Sequence, residues 1–131
     1  VLLKFHFKQE VSFTTDPDME TDAIVLIGDR TFGKKDSFAY AYDMGEEWMK
    51  FTGLPFVYAA WVANKTIPQS FINDFNEALS FGLSKRKTLL EELPKQSNFD
   101  LDDYLMHKLD FELTDKKREA LTLFLSYITK L

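Results

Sequence analysis

Apolar residues follow two periods along this chain. Near the start, "KFHFKQEVSF" (4–13) alternates, with Phe5, Phe7, Val11 and Phe13 apolar, which predicts a strand with one buried face. The opening "VLLKF" reads equally well as the last turn of a helix. "DPDMETD" (16–22) reads as a loop, because Pro17 lacks a donor and Asp16 favours turn initiation. "AIVLIG" (23–28) is short, β-branched and apolar on both parities. That pattern predicts a strand covered on both faces, as in a parallel α/β sheet. "SFAYAY" (37–42) is a second, shorter strand candidate, and "PFVYAAWVA" (55–63) is a third, again apolar on both faces.

Helical punctuation separates and follows these runs. Asp43 is a good N-cap with Glu46 three residues on, so a capping box opens a helix predicted over Met44–Phe51. Gly53 supplies the left-handed residue that ends it, Leu54 the following apolar contact, and Pro55 a stop. Thr66 and Gln69 form a second box, with Pro68 in the first turn. The helix they open is predicted to run to about Leu93, with Phe71, Ile72, Phe75, Leu79, Gly82 and Leu83 as its stripe, and Pro94 ends it. Asp100 opens a short helix carrying Leu101, Tyr104, Leu105 and Leu109 on one face. Thr114 caps the last helix, whose stripe is Ala120, Leu121, Phe124, Leu125, Ile128 and Leu131. The whole reads as an α/β pattern with a helical C-terminal third.

Composition narrows the function classes. The 131 residues, 45% hydrophobic and including 13 Phe, can build a core of domain size. A net charge of −5 argues against a nucleic-acid partner, which needs a basic surface to neutralise phosphate. The absence of Cys excludes disulfides, thiolate metal sites and cysteine nucleophiles, and is compatible with a cytoplasmic protein. No run reaches the ~20 apolar residues of a membrane span.

Candidate chemistry is sparse. His6 and His107 are the two imidazoles. His107 falls on the polar side of its helix, and His6 has no partner at ligand spacing, so no metal site is readable. Asp43 and Glu46 are explained by capping, and Glu47 reads as facing water. "GDR" (28–30) differs, because it sits where a parallel strand would leave its sheet, the place where open α/β sheets bind ligands. Arg30 is a natural fork for a carboxylate, and Gly28 permits close backbone approach. The plainer reading is a surface Asp29–Arg30 pair in a turn.

Two stretches, "DAIVLIGDRTF" (22–32) and "YDMGEEWMKFTGLPFVYAAWVANK" (42–65), together with the closing "LTDKKREALTLFLSYI" (113–128), carry a resemblance. The chain resembles the menaquinone-biosynthesis enzymes of the futalosine pathway, chorismate dehydratase in particular. The sister enzyme, 1,4-dihydroxy-6-naphthoate synthase, is similar overall; its "GEWW" turn and Gly-richer strand differ from "GEEWMKFTGLPFVYAAW" here. The resemblance implies a type II periplasmic-binding-protein-like fold of two α/β lobes with the substrate between them, in a protein about twice this length. On that map residues 1–32 are the tail of the middle lobe and residues 33–131 complete the first lobe, so the chain is a C-terminal portion expected to self-associate when alone.

The implied reaction eliminates water from chorismate, a dicarboxylate, to give 3-[(1-carboxyvinyl)oxy]benzoate, with no cofactor and no metal. Gly28, Asp29, Arg30 and Phe56 are the candidate substrate-binding residues, and no catalytic residue is assigned. The substrate's own enolpyruvyl carboxylate is the expected base, given how few bases this part of the chain offers. The other readings are a non-catalytic binder using the same kind of cleft, and the sister synthase.

Overall fold

The computed structural model describes residues 1–94 and 99–131, with Asp29 described by its backbone alone. Among the described residues the regular structure is helical: α1 (Met44–Thr52), α2 (Gln69–Ser84), α3 (Arg86–Glu92), α4 (Leu101–Asp103) and α5 (Asp115–Ile128). π-Helical turns cover Leu2–His6 and Tyr104–Lys108, and 3-10 turns cover Gly28–Thr31 and Lys35–Ser37. The chain divides into two compact units. The first holds Val1–Tyr58 with Leu113–Leu131, and the second holds Ala59–Glu112.

In the first unit, local signals build α1 as expected. The Asp43 carboxylate accepts from the backbone N–H of Gly45 at 2.8 Å and of Glu46 at 3.1 Å, which satisfies two of the donors a helix start leaves open. Glu46 does not reach back to complete the box; its carboxylate pairs with Lys50 one turn on, at 3.1 Å. Gly53 ends the helix at φ +72, its N–H donating to the Met49 carbonyl at 2.8 Å. Thr114 caps α5 by accepting from the Lys117 N–H.

The core of this unit is aromatic. Trp48 is fully buried and Ala120 nearly so. The Trp48 ring meets Phe124 at 5.6 Å, Phe56 at 5.7 Å and Phe51 and Tyr127 at 6.3 Å, all edge to face, the arrangement that ring quadrupoles favour. Truncating an aromatic so placed costs about 3–5 kcal/mol. The N-terminal π-helical turn packs beside α1 and α5, with Phe5 4.9 Å from the Tyr127 ring. Lys4 Nζ donates to the carbonyls of Lys130 and Leu131. Of the two readings of the opening residues, the helix end is therefore the one realised. The turn closes through the Gln9 N–H onto the Leu3 carbonyl, with Lys8 in the left-handed region at φ +57.

The second unit is tied together by Arg86. Its Nη1 donates to the Leu105 carbonyl at 2.7 Å and its Nε to Leu83 at 3.1 Å, while the guanidinium lies 5.2 Å from the Phe111 ring. Leu90, on α3, is the buried apolar residue of this unit among those described. The single helix expected up to Leu93 is two, α2 and α3, separated at Lys85. The Thr66–Gln69 box does not form: Pro68 is the N-cap, and the Gln69 amide bonds Asn73 instead. Asp100 caps α4 by accepting from the Asp103 N–H at 2.9 Å.

The three strand-like runs carry no ladder among the described residues. Strand propensity describes a half-buried pleated surface, and it is realised only where a neighbouring backbone offers hydrogen bonds. These runs leave apolar side chains in solvent: Ile27 is 79% exposed, and Trp61 is equally so.

Candidate functional site

The structure gathers three of the four candidate substrate-binding residues in one short turn. Gly28 holds φ +64 at its start, a backbone that side chains other than glycine rarely adopt. The Thr31 hydroxyl donates to the Gly28 carbonyl at 2.8 Å and closes the turn. Arg30 is exposed, and no described side chain pairs with it. The Asp29 side chain lies outside the described residues. Phe56 is engaged elsewhere, its ring 5.1 Å from Phe124 and 5.0 Å from Tyr58 in the aromatic core. Its substitution therefore acts first on packing.

A second cluster is built around Glu47, which does not face water as its sequence suggested but is buried. It is 7% exposed and is the one buried charged residue among those described. A buried carboxylate requires partners, and it has two. His6 Nε2 lies 3.1 Å from Oε2, and Lys50 Nζ donates to Oε1 at 2.7 Å. The Lys50 hydrogen bond, followed by that of His6, holds the Glu47 carboxyl below its usual range against the opposing effect of burial. Glu47, then Glu46, raises the Lys50 ammonium in turn.

Helix geometry explains why Glu47 is inside. It shares a face of α1 with Phe51, four residues on, and precedes the buried Trp48. His6 comes from the turn packed against that face, and its ring is held between Phe7 at 4.7 Å and Phe51 at 5.2 Å. The readable signal was an acid on the apolar side of a capped helix; its partner, 41 residues upstream, left no local trace.

The chemistry of the pair follows from its donors. An ionised carboxylate only accepts, so Nε2 must carry the hydrogen, and a neutral His6 then has its lone pair on Nδ1. One residue after Glu47 in the chain, the Trp48 indole Nε1 is buried and has no hydrogen-bond partner among the described residues. No group of three or more His, Asp or Glu side chains that could hold a metal ion occurs among the described residues. None of the described helices is long and apolar enough to cross a membrane.

Residues 1–130 match the model of a family described as menaquinone biosynthesis. The chain belongs to that family, and its role lies in the making of menaquinone. No solved structure matches it.

Proposed function

We propose that the protein is a carbon–oxygen lyase of this pathway, removing water from chorismate to give 3-[(1-carboxyvinyl)oxy]benzoate. The observation that carries the reading is the stretch "YDMGEEWMKFTGLPFVYAAWVANK" (42–65), similar to chorismate dehydratase, in a chain whose family works in menaquinone biosynthesis. Aromatisation of the ring supplies driving force. The protein's task is to hold a dicarboxylate, move one proton and exclude water. Arg30, exposed and unpaired among described side chains, suits one of the two carboxylates, with Gly28 and Asp29 in the same turn.

The reading brings a fold with it: α/β, with two lobes of the type II periplasmic-binding-protein kind, residues 1–32 in the middle lobe and 33–131 in the first. Its support is the apolar run 23–27, with Ile24, Val25 and Ile27 all exposed, and the exposed Tyr58, Trp61 and Val62 of the run 55–63. Runs of this composition become stable as strands when paired and covered.

The test is direct. Purified full-length gene product is mixed with chorismate, and the aromatic ether is sought by ultraviolet absorbance and mass. Its appearance at an enzyme-dependent rate supports the lyase. Tight chorismate binding without turnover would instead make the protein a binder, and turnover of a naphthoate precursor alone would make it the sister synthase.

A further inference from the structure

We propose that Thr31 is the positioning residue that holds Arg30 ready for a carboxylate of the substrate. This deepens the reading above and rests on one part of it, the assignment of Arg30 to substrate binding.

Three observations converge on Thr31. First, the turn that carries Arg30 is bracketed by two glycines in the left-handed region, Gly28 at φ +64 and Gly33 at φ +67. Glycine has the widest choice of backbone conformations, so each bracket is a pivot for the turn. Second, Thr31 is tied across both pivots. Its hydroxyl donates to the Gly28 carbonyl at 2.8 Å, and its carbonyl accepts from the Lys34 N–H at 3.1 Å. Arg30 lies inside the first of these two closures. Third, the stretch so held is cationic. Arg30, Lys34 and Lys35 fall within residues 30–35, which contain no acid, in a chain of net charge −5; Asp29 and Asp36 flank them. A local excess of positive charge favours an anion.

The hydroxyl tie adds little to folding. Thr31 is exposed, and water would satisfy the same donor and acceptor. Its effect falls on binding. A turn that must be ordered as its ligand arrives loses affinity to that ordering, and one already held loses less. A guanidinium receives a carboxylate through two parallel hydrogen bonds, so it depends on the direction in which its backbone points. The rival account makes Thr31 a plain turn closure, with consequences for the turn and none for the ligand.

Full-length protein and chorismate test the proposal. Thr31→Val keeps the shape and removes the donor, whereas Thr31→Ser keeps the donor. Thr31→Val should raise KM about 2- to 10-fold, the range set by one hydrogen bond, with kcat and the melting temperature nearly unchanged. Thr31→Ser should show a KM close to that of the unaltered protein. Calorimetric titration with chorismate should show the same pattern in the dissociation constants. In an Arg30→Ala background, Thr31→Val should do nothing further, because it acts through Arg30. An unchanged KM in Thr31→Val, or a fall in kcat alone, overturns the proposal and leaves the lyase intact. So does an equal effect with and without Arg30. If Arg30→Ala binds chorismate as tightly as the unaltered protein, the assignment of Arg30 falls, and the proposal with it. Failure to make the aromatic ether removes the lyase reading alone, since the dissociation constants still decide the part of Thr31.

Discussion

Glu47 makes folding sensitive to pH at both ends of the scale. Its folded-state pKa lies below the ordinary value of 4.5, so its contribution is fully present above that value and is lost as pH falls through the lowered one. Lys50 works in the opposite sense. Its folded-state pKa lies above 10.5, so its contribution holds below that value and is lost as pH rises through the raised one. Acid unfolding followed by circular dichroism should therefore show a loss of stability below about pH 4.5 that Glu47→Gln largely removes. If the variant retains the same acid limb, the pair is not its source. Arg30 should behave differently. It is exposed, so Arg30→Ala should leave the melting temperature nearly unchanged. If it binds a substrate carboxylate, KM for chorismate should rise about tenfold or more, as expected for loss of a charge-assisted hydrogen bond. At this scale the caps Asp43, Asp100 and Thr114 were legible, because a cap and its donors lie within three residues of each other. The His6–Glu47 pair was not, because nothing near either residue specifies which distant group meets it.

The elements differ in how well their ends suit their backbone. Gly53 and Lys8 both occupy left-handed positions after a helical turn, at φ +72 and φ +57. The conformation costs a side-chain-bearing residue about 1–2 kcal/mol. Gly53→Ala should destabilise the first unit by about that amount, and Lys8→Gly should stabilise it by somewhat less, since glycine also gains freedom in the unfolded chain. Chemical denaturation of the two variants should give shifts of opposite sign. Helix existence was well marked in the sequence, because apolar stripes and capping residues are local properties. The break at Lys85 was not, since no proline or glycine marks that position and the split accompanies packing around Arg86. The strand-like runs show the same limit. Their composition is visible in the sequence, but a ladder belongs to two segments at once, and among the described residues neither 23–28 nor 55–63 has a partner.

For the molecule as a whole, exposure of Ile24, Val25 and Ile27 in one run, and of Trp61 and Val62 in another, is an association hazard. Unpaired apolar segments recruit other backbones. Light scattering on the purified 131-residue chain should show species larger than one chain, growing with concentration, and Val25→Lys should reduce them. A compact monomer at all concentrations would contradict this expectation. Of the candidate site, the Gly28–Arg30 turn was marked by its residue types, whereas the position of Phe56 in the core was not, because an aromatic beside a strand suits a pocket wall as well as a packed interior.

The placement of the two tryptophans gives each compact unit its own optical reporter. Trp48 is wholly enclosed by rings in one unit, while Trp61 stands 79% exposed in the other. Emission from the first should be blue-shifted and protected from iodide; emission from the second should be red-shifted and readily quenched. A Trp61→Phe chain would then signal, by its colour alone, the moment the aromatic core opens.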